Sequence, residues 1–102
     1  MSYLTLIRIP GDADELFKTQ YEKMSSVMSR VGPENGQLSH VAAKTDEGLL
    51  IVNLWEPKEG SEAASRDPEV QQAQQSAAQE SGISREDVRY EHYDVLNFEA
   101  GN

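Results

Sequence analysis

The chain has no cysteine among its 102 residues, which excludes disulfides, thiolate metal sites and a cysteine nucleophile. It is also poor in basic residues, with nine Lys and Arg against eighteen Asp and Glu and a net charge of -9. Phosphate binding needs clustered Lys and Arg, so nucleic acid is not an expected partner. No run of basic residues marks an anionic membrane surface. No stretch approaches the ~20 consecutive apolar residues of a membrane span. The start, Met1-Ser2-Tyr3-Leu4-Thr5, lacks the basic and apolar regions of a secretory signal, so a cytoplasmic protein is expected. Apolar residues make up only 37% of the chain. That is little for a single domain of this length (residues 1–102), and oligomerisation would supply the missing buried area.

What apolar content there is falls in an unusual place. In Leu49-Leu50-Ile51-Val52-Asn53-Leu54-Trp55, Leu50, Val52 and Leu54 point one way and Leu49, Ile51 and Trp55 the other. Side chains alternate along a strand, so both faces of this one need cover. The segment 3–9 repeats the pattern, with Leu4 and Leu6 opposite Ile7 and Ile9. The helical segments can cover one face of a small sheet. The other face calls for a partner, and a homodimer stacking sheet on sheet is the economical solution.

The remaining elements follow from punctuation and period. Pro10-Gly11 ends the first strand. Asp12, with Glu15 three residues on, starts a helix. Phe17, Tyr21, Met24, Met28 and Val31 form its apolar stripe, and Gly32 with Pro33 is expected to close it. A strand over 37–44, with Leu38, His40 and Ala42 on one face, leads through Thr45-Asp46-Glu47-Gly48 into the strand 49–55, a tight antiparallel pair. Ser61 is expected to cap a short helix through Arg66. Asp67-Pro68-Glu69 starts another, with Val70, Ala73 and Ala77 inward, which Gly82 ends. A last strand is expected over 88–98 with a bulge. The order β-α-β-β-α-β is the ferredoxin-like α+β fold, an antiparallel sheet with two helices on one face. Right-handed crossovers put the first and third strands at its centre, and these are the two strands that are apolar on both sides.

The chain resembles the dimeric α+β-barrel superfamily, which includes antibiotic-biosynthesis-monooxygenase-like and haem-degrading proteins. The resemblance rests on the element order, on His40-Val41, on Val52-Asn53-Leu54-Trp55-Glu56-Pro57-Lys58-Glu59 and on Asp67-Pro68-Glu69-Val70. It implies a barrel made by two stacked sheets, with small molecules bound between sheet and helices. Haem-degrading relatives ligate iron through a histidine on the second helix. Residues 61–81 contain none, so no cofactor is expected.

Seven residues are candidates for a site. His40 and His92 are the only histidines, and histidine exchanges protons most readily near neutral pH. His40 is read either as a base or as a buried histidine satisfied by its neighbours. Asn53 interrupts an apolar strand, and a buried amide there is either a structural cross-link or a polar anchor. These two are the catalytic candidates. Trp55 offers a flat wall with one N–H donor, for packing or for a planar ligand. Tyr21, Met24, Tyr90 and His92 complete the candidate lining. No His, Asp and Glu residues stand at metal-ligand spacing, so no metal site is expected. The resemblance implies a cofactor-independent monooxygenase acting on a planar aromatic or polyketide-like molecule. The alternative is a non-catalytic small-molecule-binding or stress-associated protein on the same scaffold.

Overall fold

A computed structural model describes residues 2–83 and 85–99. Strand β1 (Tyr3–Pro10) leads into α1 (Ala13–Leu16), a π-helical turn (Phe17–Tyr21) and α2 (Glu22–Glu34), which run together as one helical path. Strands β2 (Gln37–Lys44) and β3 (Gly48–Trp55) form a hairpin. Helices α3 (Lys58–Arg66) and α4 (Pro68–Ser81), a 3-10 turn (Arg85–Asp87) and β4 (Arg89–Asp94) follow. The sheet is antiparallel with strand order β2-β3-β1-β4, so the two strands that are apolar on both sides are indeed central.

The registers divide the sheet into two faces. Tyr3, Thr5, Ile7 and Ile9 of β1 lie beside Trp55, Asn53, Ile51 and Leu49 of β3 on the face that the helices cover. Val31, Trp55, Ala64 and Val70 form one buried cluster there, joined by Met24 and Met28. Ile9, Leu16 and Leu49 form a second, joined by Tyr21, Ile83 and Val88. Helix α4 packs on α2 and α3, with Val70 and Ala77 buried. Leu4, Leu6, Leu50 and Val52 face the other way, with Val41 and Tyr93 about half exposed.

Helix boundaries follow the capping chemistry where it is strongest. The Asp12 carboxylate accepts the Glu15 N–H at 3.0 Å, and Asp67 accepts from Glu69 and Val70. Gly82 closes α4 in the left-handed conformation, as its position predicts.

Five expectations need correction. Gly32 does not end its helix; α2 continues to Glu34, and the Asn35 and Gly36 amides close the last turn on Gly32 and Pro33. The reversal falls at Gly36 (φ 90°). Helix α3 starts at Lys58 rather than at a Ser61 cap, because the extended backbone of Pro57 serves as its N-terminal flank. Strand β4 stops at Asp94 instead of reaching Phe98. Asp94 pairs with Tyr3, the first residue of β1, so β4 runs out of neighbour. Leu96 is left 98% exposed. Phe17 is 42% exposed while Leu16 is buried: the π turn holds an extra residue and shifts the stripe by one position. Finally, Leu38 does not share a face with His40. Gln37 pairs with Trp55 and Ser39 with Leu54, so Leu38 is an extra, bulged residue.

Candidate functional site

Three residues singled out by type alone prove to be in contact. His40 on β2 and Asn53 on β3 are cross-strand partners. Imidazole Nδ1 lies 2.5 Å from the Asn53 Oδ1, and Nε2 lies 2.9 Å from the Tyr21 hydroxyl. Gln37 Nε2 also donates to Asn53 Oδ1, at 2.9 Å. An amide oxygen that receives Gln37 has no proton to give His40, so Nδ1 carries the imidazole proton. In the neutral ring Nε2 is then the acceptor, and the Tyr21 O–H donates to it.

The helix contributes an aromatic column. The Tyr21 ring stacks on His40 with centroids 5.4 Å apart, and Phe17 stacks on Tyr21 at 4.6 Å. Asn53 is buried whereas His40 is exposed. The chain of hydrogen bonds thus runs from the core to a solvent-reachable imidazole beside exposed aromatic surface.

Asn53 also belongs to a polar row that crosses the whole sheet. The registers place His40, Asn53, Thr5 and His92 side by side, and Thr5 and Asn53 are the buried polar residues among those described. Thr5 receives the Trp55 indole N–H at 3.2 Å, so Trp55 is committed to the core. Met24 packs beside it. His92 lies across the sheet from His40, about three strand spacings or ~14 Å away. There it stacks on Tyr3 at 5.8 Å, with Lys58 over the Tyr3 ring at 5.1 Å. Tyr90, next along β4, is 47% exposed. The candidates therefore divide into a joined group (Tyr21, His40, Asn53), a buried pair (Trp55, Met24) and a separate edge (Tyr90, His92).

Two participants, Gln37 and Thr5, were missed by residue type. Thr5 left a faint signal, as the one uncharged polar residue between apolar neighbours in β1. Gln37 left none, because strict alternation puts residues 37 and 40 on opposite faces and only the bulge at Leu38 unites them.

Among the described residues no group of three His, Cys, Asp or Glu could hold a metal ion, and no helix is long and apolar enough to cross a membrane. Two surface hollows, of about 190 and 600 Å³, lie toward the opposite end of the sheet. Arg8, Glu47, Asp87 and Arg89 help line the first, and Asp12, Lys44 and Asp46 the second. Neither is lined by Tyr21, His40 or Asn53.

No protein-family model and no curated protein sequence matches the chain. Its backbone does match solved structures over nearly its whole length. SnoaB, a cofactor-independent oxygenase from Streptomyces nogalater, superposes with a TM-score of 0.66 at 10% identity, covering 95% of this chain and 93% of that one. The chain has the fold of the antibiotic-biosynthesis-monooxygenase-like proteins. A Nitrosomonas europaea protein provisionally described as an antibiotic biosynthesis monooxygenase shares this fold, at TM-score 0.71, 10% identity and coverage of 93% and 90%. So does a dimeric ferredoxin-like protein of unknown function from Jannaschia sp. CCS1, at TM-score 0.72, 11% identity and coverage of 93% and 100%. Identities this low establish a common monooxygenase-like fold and carry no residue roles across.

Proposed function

We propose that the protein is a cofactor-independent monooxygenase of this fold, acting on a small planar aromatic or polyketide-like molecule. His40 is the proton acceptor, Asn53 the group that orients it, and Tyr21 with Phe17 the stacking wall. The observation that carries this reading is a convergence. A π turn positions Tyr21, a β-bulge brings Gln37 beside His40, and both irregularities meet at one hydrogen-bonded chain. Such departures from regular structure concentrate at functional sites.

The chemistry needs only a base and a held substrate. An acidic methylene C–H of the substrate gives its proton to Nε2, taking the place of the Tyr21 hydroxyl. The resulting carbanion reduces dioxygen and combines with it to give a peroxide anion, which the His40 imidazolium protonates to the hydroperoxide. The second C–H proton then leaves as the O–O bond breaks, and the departing hydroxide carries it away as water. In sum, one methylene and one dioxygen give one ketone and one water, and the substrate supplies every electron. Asn53 fixes the imidazole through Nδ1 without adding a charge, as an amide does in Cys-His-Asn sites. The active assembly is a homodimer in which a second copy covers the open sheet face.

Oxygen uptake with an anthrone-type probe tests the assignment. His40→Ala should lower turnover by about 10²–10⁴-fold, the span of a general base, with the melting transition retained. Unchanged turnover would remove His40 from the chemistry. A wild-type protein that binds the probe without consuming oxygen would favour the non-catalytic alternative. That outcome would fit an imidazole whose two nitrogens are already satisfied.

A further inference from the structure

Gln37 occupies a position that only two departures from regularity allow. The first is the bulge at Leu38, which puts residues 37 and 40 on the same face so that both reach Asn53 Oδ1. The second is Gly32 in the last turn of α2. A Cβ built on Gly32 would lie 2.2 Å from the Gln37 Oε1 and 2.9 Å from its Cδ. Any side chain there would collide with the Gln37 amide. The glycine costs about 1 kcal/mol of helix propensity relative to alanine, and the space it leaves is filled by Gln37.

We propose that Gln37, seated against Gly32, is a positioning residue that selects the tautomer of His40 by fixing the amide of Asn53. A buried amide in the Asn53 position has two orientations. With its oxygen toward β2 it accepts from Gln37 and from Nδ1–H, leaving Nε2 free to take a proton. With its nitrogen toward β2 it donates to Nδ1. The imidazole proton then sits on Nε2, where it meets the Tyr21 oxygen, and that nitrogen is no longer basic. Seated with Oε1 toward Gly32 and Nε2 toward Asn53, Gln37 favours the first orientation, since a second donor aimed at the same point would repel its own. The hydrogen bonds link Gln37 to His40 through the Asn53 oxygen, and Gln37 is assigned no contact with the reacting atoms.

This inference rests on the proton-acceptor reading for its consequence, but its test needs no substrate. Long-range ¹H–¹⁵N correlation spectra report which imidazole nitrogen carries the proton. The signals are assigned with His92→Gln and recorded at about pH 9, above the ordinary histidine range. The wild type should show a protonated Nδ1 and a pyridine-like Nε2. Gln37→Glu keeps the side-chain size and presents only acceptors, so it should turn the Asn53 amide and invert the tautomer ratio by about tenfold or more, the scale of one net hydrogen bond. Gly32→Ala should move the ratio the same way by displacing Gln37. A folded Gln37→Glu protein that keeps the wild-type Nδ1–H pattern overturns the proposal, as does a wild type protonated at Nε2. If the tautomer inverts while His40→Ala leaves turnover intact, Gln37 positions His40 and the monooxygenase reading fails alone. If both hold, Gln37→Glu should lower kcat with little change in KM, because the base is altered and the stacking wall is not.

Discussion

The two faces of the sheet accommodate polar groups in different ways. Under the helices the polar row is neutral: Thr5, Asn53 and His40 are joined to Trp55, Gln37 and Tyr21 by hydrogen bonds. No buried side-chain polar atom among the described residues lacks a partner. On the open face the joined polar groups include a charged pair. Arg8 meets Glu91 at 2.5 Å, and the Tyr93 hydroxyl donates to the same carboxylate at 2.7 Å, among Leu4, Leu6, Val41 and Val52. Burying a charge costs far more than burying a satisfied amide. The buried polar groups of the face closed within one chain are therefore a hydroxyl and an amide, Thr5 and Asn53. Charges stand where water, or a second copy with its own complementary groups, can meet them.

Three substitutions would break or sharpen this contrast. Trp55→Ala strikes the closed face hardest. It empties the core beside Val31 and Val70 and takes a hydrogen bond from Thr5. A loss of about 3–5 kcal/mol in a denaturant titration is expected; under ~1 kcal/mol would mean the helices are not packed there. Val41→Asp probes the open face. The side chain is 53% exposed in the single chain, so folding stability should change by no more than about 0.5 kcal/mol. Under the proposed sheet-on-sheet dimer, self-association should weaken by more than about a hundredfold, since an unpaired charge would be buried between the sheets. Sedimentation equilibrium measures that change directly, and an unaffected dimer would move the interface elsewhere.

Glu91→Gln is the gentlest of the three and reads out through pH. Hydrogen bonding from Arg8 and then from Tyr93 holds the Glu91 carboxyl below its ordinary value of 4.5. The bond to Glu91 raises the Tyr93 hydroxyl above its ordinary 10.0. A depressed carboxyl stabilises the fold above its unfolded pKa and loses that contribution as pH falls through the folded one. A raised phenol contributes below its unfolded pKa and loses it as pH rises through the folded one. Stability from this network should therefore hold between about pH 4.5 and 10 and weaken on both sides. Glu91→Gln should flatten the acid limb of melting temperature against pH. An acid limb identical to wild type would assign that limb to other carboxylates.

Regular features were readable from the sequence because they obey a fixed period or a local rule. Asp12, Asp67-Pro68 and Gly82 mark helix ends through contacts within a few residues of themselves. The two-sided strands Leu49–Trp55 and Tyr3–Ile9 stated their central position through alternation. The site was readable only in pieces. His40, Asn53 and Tyr21 stood out by chemistry, but their contact depends on a strand register and a helix phase set by the whole fold. Gln37 and the exposure of Phe17 were hidden because each follows a single inserted residue, in a bulge or a π turn. One insertion inverts a period-two pattern and rotates a helical one, so a reading that assumes constant period fails where the structure is specialised.

The bulge at Leu38 also bears on what the sheet edge offers to other strands. Strand β2 is an edge of the sheet, and a straight edge offers a row of unpaired amides and carbonyls to any passing strand. One extra residue near its start twists that row out of register, and Lys44 sets a charge at its other end. Deleting residue 38 would regularise the edge and turn it into a template. An edge so interrupted offers a passing strand no continuous in-register row to pair with.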